Sequence, residues 1–407
     1  MKHVLLITSF PSSGYGGVVN QIKNLVASLN GNNDLFVDSF YMPKVLDRWL
    51  ILGCMFVFNR FYNGFGTLLG IWLRQLIMGY LLLMQHKKYD LLHFQDPFIV
   101  PLMNRYKALK RDQDSKIILS NYALGSVTDE ALFYKGLSNT LVQTDPIWRK
   151  INRWESEAYK TAKIIITDSK VSADLLVQHF GFDHKKIRIV YPGIDHEKYH
   201  QISEEEKSLK RINYGFDSED VVITTIAALN RMKGYCTLLN AISLLNNSSR
   251  RYKFVIIGKG PMKYSLESRA KELNIQKRVT FCGYVEDPKE ILTISDIFIL
   301  PSHKESTSLA MVEAALSGVP ILATSVGGAH ELFKHMESAY LVDPNNPYQI
   351  REGIEWMLSN YSRRRDIASK AYEIVSNNCI ISVMAKNYSD IYLNAETILP
   401  YNNLRFT

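Results

Sequence analysis

The sequence predicts an α/β protein of two doubly wound domains, each a parallel sheet wrapped by helices. Three observations predict it. Short β-type runs alternate with helix-type stretches in the first half of the chain, and the same alternation begins afresh in the second half. Strands separated by helices imply parallel sheets, and two such sets imply two domains. The chain is 407 residues long, 46% hydrophobic and 22% charged, which is a globular balance and enough length for two developed cores.

In the first half the strand candidates are "HVLLIT", "DLFVDSF", "DLLHFQ", "KIILS" and "KIIITDS", with "VVNQIKNLVASL" among the helices between them. The turn "SSGYGGVVNQ" follows the first strand and opens that helix, so the amides around Gly16 and Gly17 can face an anion. The spacing fits an ordinary tight turn equally well. Residues 49–84 depart from ordinary composition, but Asn59-Arg60 and Arg74-Gln75 break their apolar runs. A spanning helix needs roughly 20 nearly uninterrupted apolar residues, so the segment is not expected to cross a bilayer. Aromatics such as Trp49, Phe56 and Phe58, interleaved with single arginines, suit a surface lying in the lipid interface. Helices packed on a sheet fit them as well. His93 lies toward the end of the strand candidate "DLLHFQ", where it can be a satisfied core residue. The stretch "IRIVYPGID" and the charged run after it mark a boundary, giving domains over 1–192 and 193–372.

The second half supplies "VVITTIAAL", "KFVIIG", "RVTFCG", "IFILPS" and "PILATS" as strands. In "AALNRMKGYCTLL", Lys233 lies between a strand and a helix, where an ammonium can neutralise a phosphate. Most lysines at such spacing are simply solvated. In "VIIGKGPM", Gly258 and Gly260 follow a strand, and Pro261 suits a first helical turn. The spacing fails the dinucleotide fingerprint, which argues against a nicotinamide enzyme. The stretch "PSHKESTSLAMVEAALSGVP" encodes a helix with Ser308 as its N-cap and Ser317-Gly318 before Pro320 as its end. Leu309, Val312 and Leu316 form its apolar stripe, and Glu313 falls on that stripe. A carboxylate there has to find hydrogen-bond donors. Glu305 precedes it by two helical turns' worth of chain, followed by Ser306 and Thr307. In open parallel sheets ligands bind at the carboxyl ends of strands, so a ligand is expected in a cleft between the two domains.

Cys54, Cys236, Cys282 and Cys379 are scattered without metal-ligand spacing, which points to a reducing compartment and away from structural zinc. The opening "MKHVLLITSF" has too short an apolar core for a signal peptide, so a cytoplasmic protein is expected. The net charge of +8 fits an anionic ligand or an anionic membrane surface. No dense basic tract or nucleic-acid motif accompanies it, so nucleic acid is not an expected partner.

Together these residues resemble the family-4 glycosyltransferases of the GT-B fold, in which two Rossmann-like domains face each other across a cleft. The resemblance is strongest over 222–345, where "LNRMKG", "IGKGP", "VTFCGYV", "SDIFILPS" and the Glu305–Glu313 pair occur in the family's order. The first half is similar more loosely, through "GYGG", "YDLLHFQDP" and "KIIITDSKVSADLL". The tail "VMAKNYSDIYLNA" resembles the family's last helix, so 373–407 are expected to cross back to the first domain. The resemblance implies that 1–192 bind the acceptor and 193–372 a nucleotide sugar such as a UDP-sugar. Glu313 then accepts hydrogen bonds from ribose hydroxyls, Glu305 lies near the donor sugar, and Lys233 favours departure of the diphosphate. His93 joins Glu305 and Lys233 as a catalytic candidate. Gly16, Gly17, Gly258, Gly260, Gly283, Tyr284, Ser306, Thr307, Ser308 and Leu309 complete the donor site. The implied reaction retains configuration, needs no metal or cofactor, and moves a sugar to a hydroxyl of a glycan or lipid-linked acceptor. The implied setting is surface polysaccharide or lipopolysaccharide assembly, at the inner face of the membrane through residues 49–84. Three positions depart from the family's pattern. Ala228 stands for an arginine, with Arg231 in a different register. Ser306 stands for a glycine, and Asn121-Tyr122 stand where a histidine is common. These departures leave two rival readings: a nucleotide-sugar epimerase on the same fold, and a non-catalytic nucleotide-binding partner protein.

Overall fold

The computed structural model describes residues 1–9, 11, 17–31, 33–44, 46–47, 64–85, 87–102, 115–245 and 251–396. The chain divides into two compact units. One holds Met1–Tyr191 and the chain from Ile381 onward, and the other holds Pro192–Ile380.

The first unit contains a six-stranded sheet of β1 (Lys2–Thr8), β2 (Leu35–Tyr41), β3 (Leu91–Phe94), β4 (Lys116–Asn121), β5 (Ile164–Thr167) and β6 (Ile187–Ile189). Its order is β2-β1-β3-β4-β5-β6, with every pairing parallel. The strands read as near-continuous apolar runs because both faces are covered. Leu5 and Ile7 pack with Met78, Leu82 and Tyr159 on one face, and Val4 and Leu6 pack with Leu25, Leu29, Met384 and Tyr392 on the other. Each fully buried side chain of this kind contributes about 1.5–3 kcal/mol. The last two residues named lie on the helix Ile381–Leu393, whose end is tied to the sheet by Lys2 Nζ, 2.8 Å from the Leu393 carbonyl. That helix starts later than the expected position of 373. The preceding helix, Tyr361–Asn378, stays in the second unit with Val375 fully buried, and Cys379 beyond its end accepts the Ile194 amide at 2.9 Å.

The second unit contains β7 (Asp220–Ile226), β8 (Arg251–Ile257), β9 (Val279–Gly283), β10 (Ile297–Leu300), β11 (Ile321–Thr324) and β12 (Tyr340–Val342). The sheet is again parallel, in the order β12-β11-β10-β7-β8-β9. The order reverses between β7 and β10, and such a switch point opens a crevice at the carboxyl ends of those two strands. The sequence predicted ten strands. The other two, β6 and β12, are three-residue edge strands too short to show a pattern.

Within residues 49–84, the helix Phe65–Leu83 is described, whereas Trp49, Phe56 and Phe58 lie outside the described residues. Both readings of the segment find a place on that helix. Ile71, Met78 and Leu82 are buried, while Phe65, Trp72, Leu76 and Tyr80 are exposed, Tyr80 by 64%. Asn59-Arg60 also lie outside the described residues, whereas both residues of the Arg74-Gln75 interruption are partnered: Arg74 Nη2 meets Asp47 Oδ1 at 2.9 Å, and Gln75 Nε2 donates to the Phe98 carbonyl at 2.5 Å. Among the described residues this is the one helix long and apolar enough to cross a membrane, and a third of it packs inside the unit.

Candidate active site

The switch point of the second sheet brings Lys233 and Glu305 together. Lys233 follows β7 as the last residue of a short 3₁₀ turn, Arg231–Lys233, which Asn230 caps by accepting the Met232 amide at 2.9 Å. Glu305 follows β10. Their loops are pinned by the His303 amide, which donates to the Met232 carbonyl at 2.7 Å. At Gly234, with φ of 64°, a Cβ would lie 1.8 Å from the Pro301 carbonyl oxygen, so only glycine lets the loops approach. Lys233 Nζ then sits 2.7 Å from Glu305 Oε2, which also accepts from Ser302 Oγ at 3.0 Å. Both charged side chains are largely buried.

A third loop, after β11, braces the same place. Gly327 has φ of 52°, and a Cβ on it would come within 1.6 Å of the Glu305 carbonyl oxygen. The Gly328 amide donates to the Ser306 carbonyl at 2.6 Å. Ser306, Thr307 and Ser308 are buried and lead into the helix Leu309–Leu316, where Ser308 Oγ accepts the Met311 amide at 3.4 Å. The first-turn amides and the dipole of that helix therefore stand beside the Lys233–Glu305 pair, an arrangement suited to a diphosphate. Glu313 lies one turn into the helix, and its Oε1 accepts from the Tyr199 hydroxyl at 3.0 Å. The Glu313 carboxyl pKa is raised to about 7, chiefly by desolvation, with the Tyr199 hydrogen bond working against the rise and the charge of Asp287 adding to it.

The remaining donor-site candidates of this unit lie on the next loops of the sheet. Gly258 and Gly260 pack on the backbone after β7, where Cβ atoms would lie 1.9 Å from the Ala227 oxygen and 2.3 Å from the Leu229 oxygen. The Gly258 amide donates to the Gly283 carbonyl at 2.7 Å. Gly283 has φ of 71° and nothing within 4 Å of a Cβ, so that side of it is open. Tyr284 is exposed, with Lys259 Nζ 5.5 Å from its ring centre. Ala228 and Arg231 are both exposed.

Three candidates lie in the first unit, and one of them is not described. Gly16 falls outside the described residues, and Gly17 is the first residue of the helix Gly17–Leu29. His93 is fully buried. Its Nδ1 lies 2.6 Å from the Tyr392 hydroxyl, and its Nε2 lies 2.8 Å from Ser120 Oγ and 3.0 Å from Gln95 Nε2. Burial lowers its pKa to about 3, so the ring is neutral. This geometry favours the satisfied-core alternative for His93. Tyr122 donates to Gln95 Oε1 at 2.5 Å, and Asn121 Nδ2 donates to the Ala123 and Gly125 carbonyls at 3.0 and 2.9 Å. Sequence reasoning missed Tyr199, Ser302 and Gly327-Gly328. The double glycine after a strand was a usable signal. Tyr199 had none, because its partner is 114 positions away. Among the described residues no three His, Cys, Asp or Glu side chains gather as a metal site.

Comparison with known proteins agrees with this architecture. The family of glycosyl transferases group 1 matches residues 206–374, and Glycosyltransferase Family 4 matches residues 15–198. An uncharacterized glycosyltransferase of Methanocaldococcus jannaschii is 28% identical over 231 residues, covering 56% of this chain and 59% of that protein. The N-acetylgalactosamine-N,N'-diacetylbacillosaminyl-diphospho-undecaprenol 4-alpha-N-acetylgalactosaminyltransferase of Campylobacter jejuni is 28% identical over 245 residues, 60% of this chain and 62% of that enzyme. The chain thus spans about three fifths of the length of each of these two relatives. The structure of Anabaena HepE in complex with UDP-glucose superposes with a TM-score of 0.73 at 17% identity, covering 97% of this chain and 100% of that one.

Proposed function

The chain belongs to the family-4 glycosyltransferases, and from that membership we propose that it moves a sugar from a UDP-type nucleoside-diphosphate donor to a hydroxyl of a glycan or lipid-linked acceptor, with retention of configuration. One observation carries the reading: the Lys233–Glu305 pair, 2.7 Å apart at the switch point of the second sheet, stands beside the start of the helix Leu309–Leu316. As the glycosidic bond breaks, negative charge grows on the leaving diphosphate. Lys233 and the first-turn amides are fixed donors for that charge, and fixed donors need no reorganisation at the moment of reaction. Glu313, four residues into the helix, takes the ribose hydroxyls, and Glu305 faces the sugar, where positive character builds. The Campylobacter relative's name, a transferase onto a diphospho-undecaprenol carrier, supports a lipid-linked acceptor in surface polysaccharide assembly. The exposed aromatics of the helix Phe65–Leu83 support contact with the inner face of a membrane.

Single-turnover transfer with UDP-sugars tests the reading. Lys233→Ala should depress kcat by about 10²–10³, on the scale of a removed oxyanion stabiliser. Glu305→Gln keeps shape and removes charge, so kcat should fall with UDP affinity unchanged. Near-normal transfer by both folded variants would make the pair structural and remove the proposal.

A further inference from the structure

The first unit has a cavity rimmed by basic residues, on the edge of its sheet away from the strands' carboxyl ends. Lys163 directly precedes β5 and Lys186 directly precedes β6, and between these amino ends lies a cavity of about 360 Å³. Its floor is apolar, formed by the buried Ala162, Ile164 and Ala395. Its walls carry Lys160, Lys163, Lys185, Lys186 and Arg188, with Asp183 as the carboxylate in the lining and Glu396, which follows Ala395, also within electrostatic reach of Lys163. Asp183 Oδ1 caps a turn by accepting the Lys185 amide at 2.9 Å. Two of the cations are held in place by carbonyls. Lys186 Nζ donates to Lys160 and Ala162 at the end of the helix Pro146–Thr161, at 3.2 and 3.3 Å, which is an ordinary helix-end role. Arg188 Nη1 donates to the Lys185 and Ile187 carbonyls at 2.7 Å each. Burial lowers the Arg188 guanidinium pKa, so its charge is held against a desolvation penalty. Among the described residues Lys160, Lys163 and Lys185 make no ion pair. Basic residues therefore outnumber acidic ones around this concavity, where like charges repel and an anion relieves them.

We propose that this cavity binds a phosphate-bearing anion, with the ammonium groups of Lys160, Lys163 and Lys185 as its ligands and the apolar floor beneath its carbon portion. Lys160, Lys163 and Lys185 are exposed on the cavity's rim, and separate lysine charges suit a compact phosphate, whereas a planar carboxylate is better matched by an arginine fork. The site lies opposite the edge where parallel sheets bind substrates, so it is distinct from the transfer chemistry. The phosphate belongs either to a soluble compound or to a lipid headgroup at a membrane surface.

Two arms separate the sources, both run with saturating UDP to occupy the donor site. Calorimetric titration with inorganic phosphate and pyrophosphate at low salt reads the soluble arm. Flotation with phosphatidylcholine vesicles, with and without phosphatidic acid, reads the lipid arm. Wild type should bind in one arm. The Lys163→Glu/Lys185→Glu variant should lose that binding by about tenfold to a hundredfold while keeping its UDP affinity. Lys163→Gln/Lys185→Gln, which adds no repulsion, should lose less. If wild type binds in neither arm, or if both variants bind as wild type does in the arm that responds, the lysines are solvated surface and the proposal fails.

Discussion

Two titratable residues, the half-buried Glu313 and the fully buried His93, are displaced in opposite senses, and their pH signatures oppose each other. Burial holds Glu313 near pKa 7 against an ordinary 4.5. Between those values the folded chain keeps a proton that the unfolded chain releases, so this residue lowers stability as pH rises. Burial holds His93 near 3 against 6.5, so the unfolded chain binds the extra proton and stability rises with pH over that window. From about pH 4.5 to 6.5 the two slopes cancel, each worth about 1.4 kcal/mol per pH unit. Urea titrations should therefore show stability rising with pH in Glu313→Gln and falling with pH in His93→Gln; equal slopes in both would contradict these assignments. The same carboxyl predicts the donor's behaviour. Ribose hydroxyls are donors and prefer ionised Glu313, so the donor KM should improve from pH 6 to pH 8 with an inflection near 7. Glu313→Ala should raise KM about ten- to hundredfold with a smaller effect on kcat, and its pH profile should be flat. That Glu313 needed a donor was legible in its place on an apolar stripe. Which donor it found was not, since Tyr199 carries no local mark.

At the scale of elements, the site is three loops held in register by glycines. Gly327→Ala puts a methyl 1.6 Å from the Glu305 carbonyl oxygen at φ of 52°, where an L-residue is already strained. Gly283→Ala meets nothing within 4 Å and pays only for its left-handed backbone, about 1 kcal/mol. Thermal unfolding should rank Gly327→Ala clearly below Gly283→Ala, and kcat should fall in Gly327→Ala because the Glu305 loop moves. Equal melting of the two variants would mean the loop relaxes freely. Ser308→Ala should cost about 1 kcal/mol, a lost N-cap on a helix whose packing is otherwise unchanged. The helix Leu309–Leu316 and its cap were readable from spacing and capping chemistry alone. The role of Gly327-Gly328 was not, because it depends on a carbonyl contributed by another loop.

At the scale of the molecule, the membrane reading rests on a helix that is core on one side and aromatic on the other. If Phe65, Trp72, Leu76 and Tyr80 enter a lipid interface, the protein should sediment with anionic vesicles, and Trp72→Ser/Tyr80→Ser should release it with its fold intact. Retained sedimentation in that variant would assign vesicle binding to another surface, the lysine cavity being the next to test. The sequence by itself determined the two parallel sheets, the order of their strands along the chain and the capped helix beside Glu305. Those features depend on near neighbours: alternation, β-branched runs, a serine cap and a proline stop. It also marked the helix Phe65–Leu83 as unusual without deciding between its faces. Only the tertiary structure decided that Lys233 meets Glu305, that Tyr199 serves Glu313 and that His93 is locked against Tyr392. Each of those contacts joins residues from 72 to 299 positions apart, and the strand order and crossovers of the folded sheets set them, not any pattern that spacing along the chain can display.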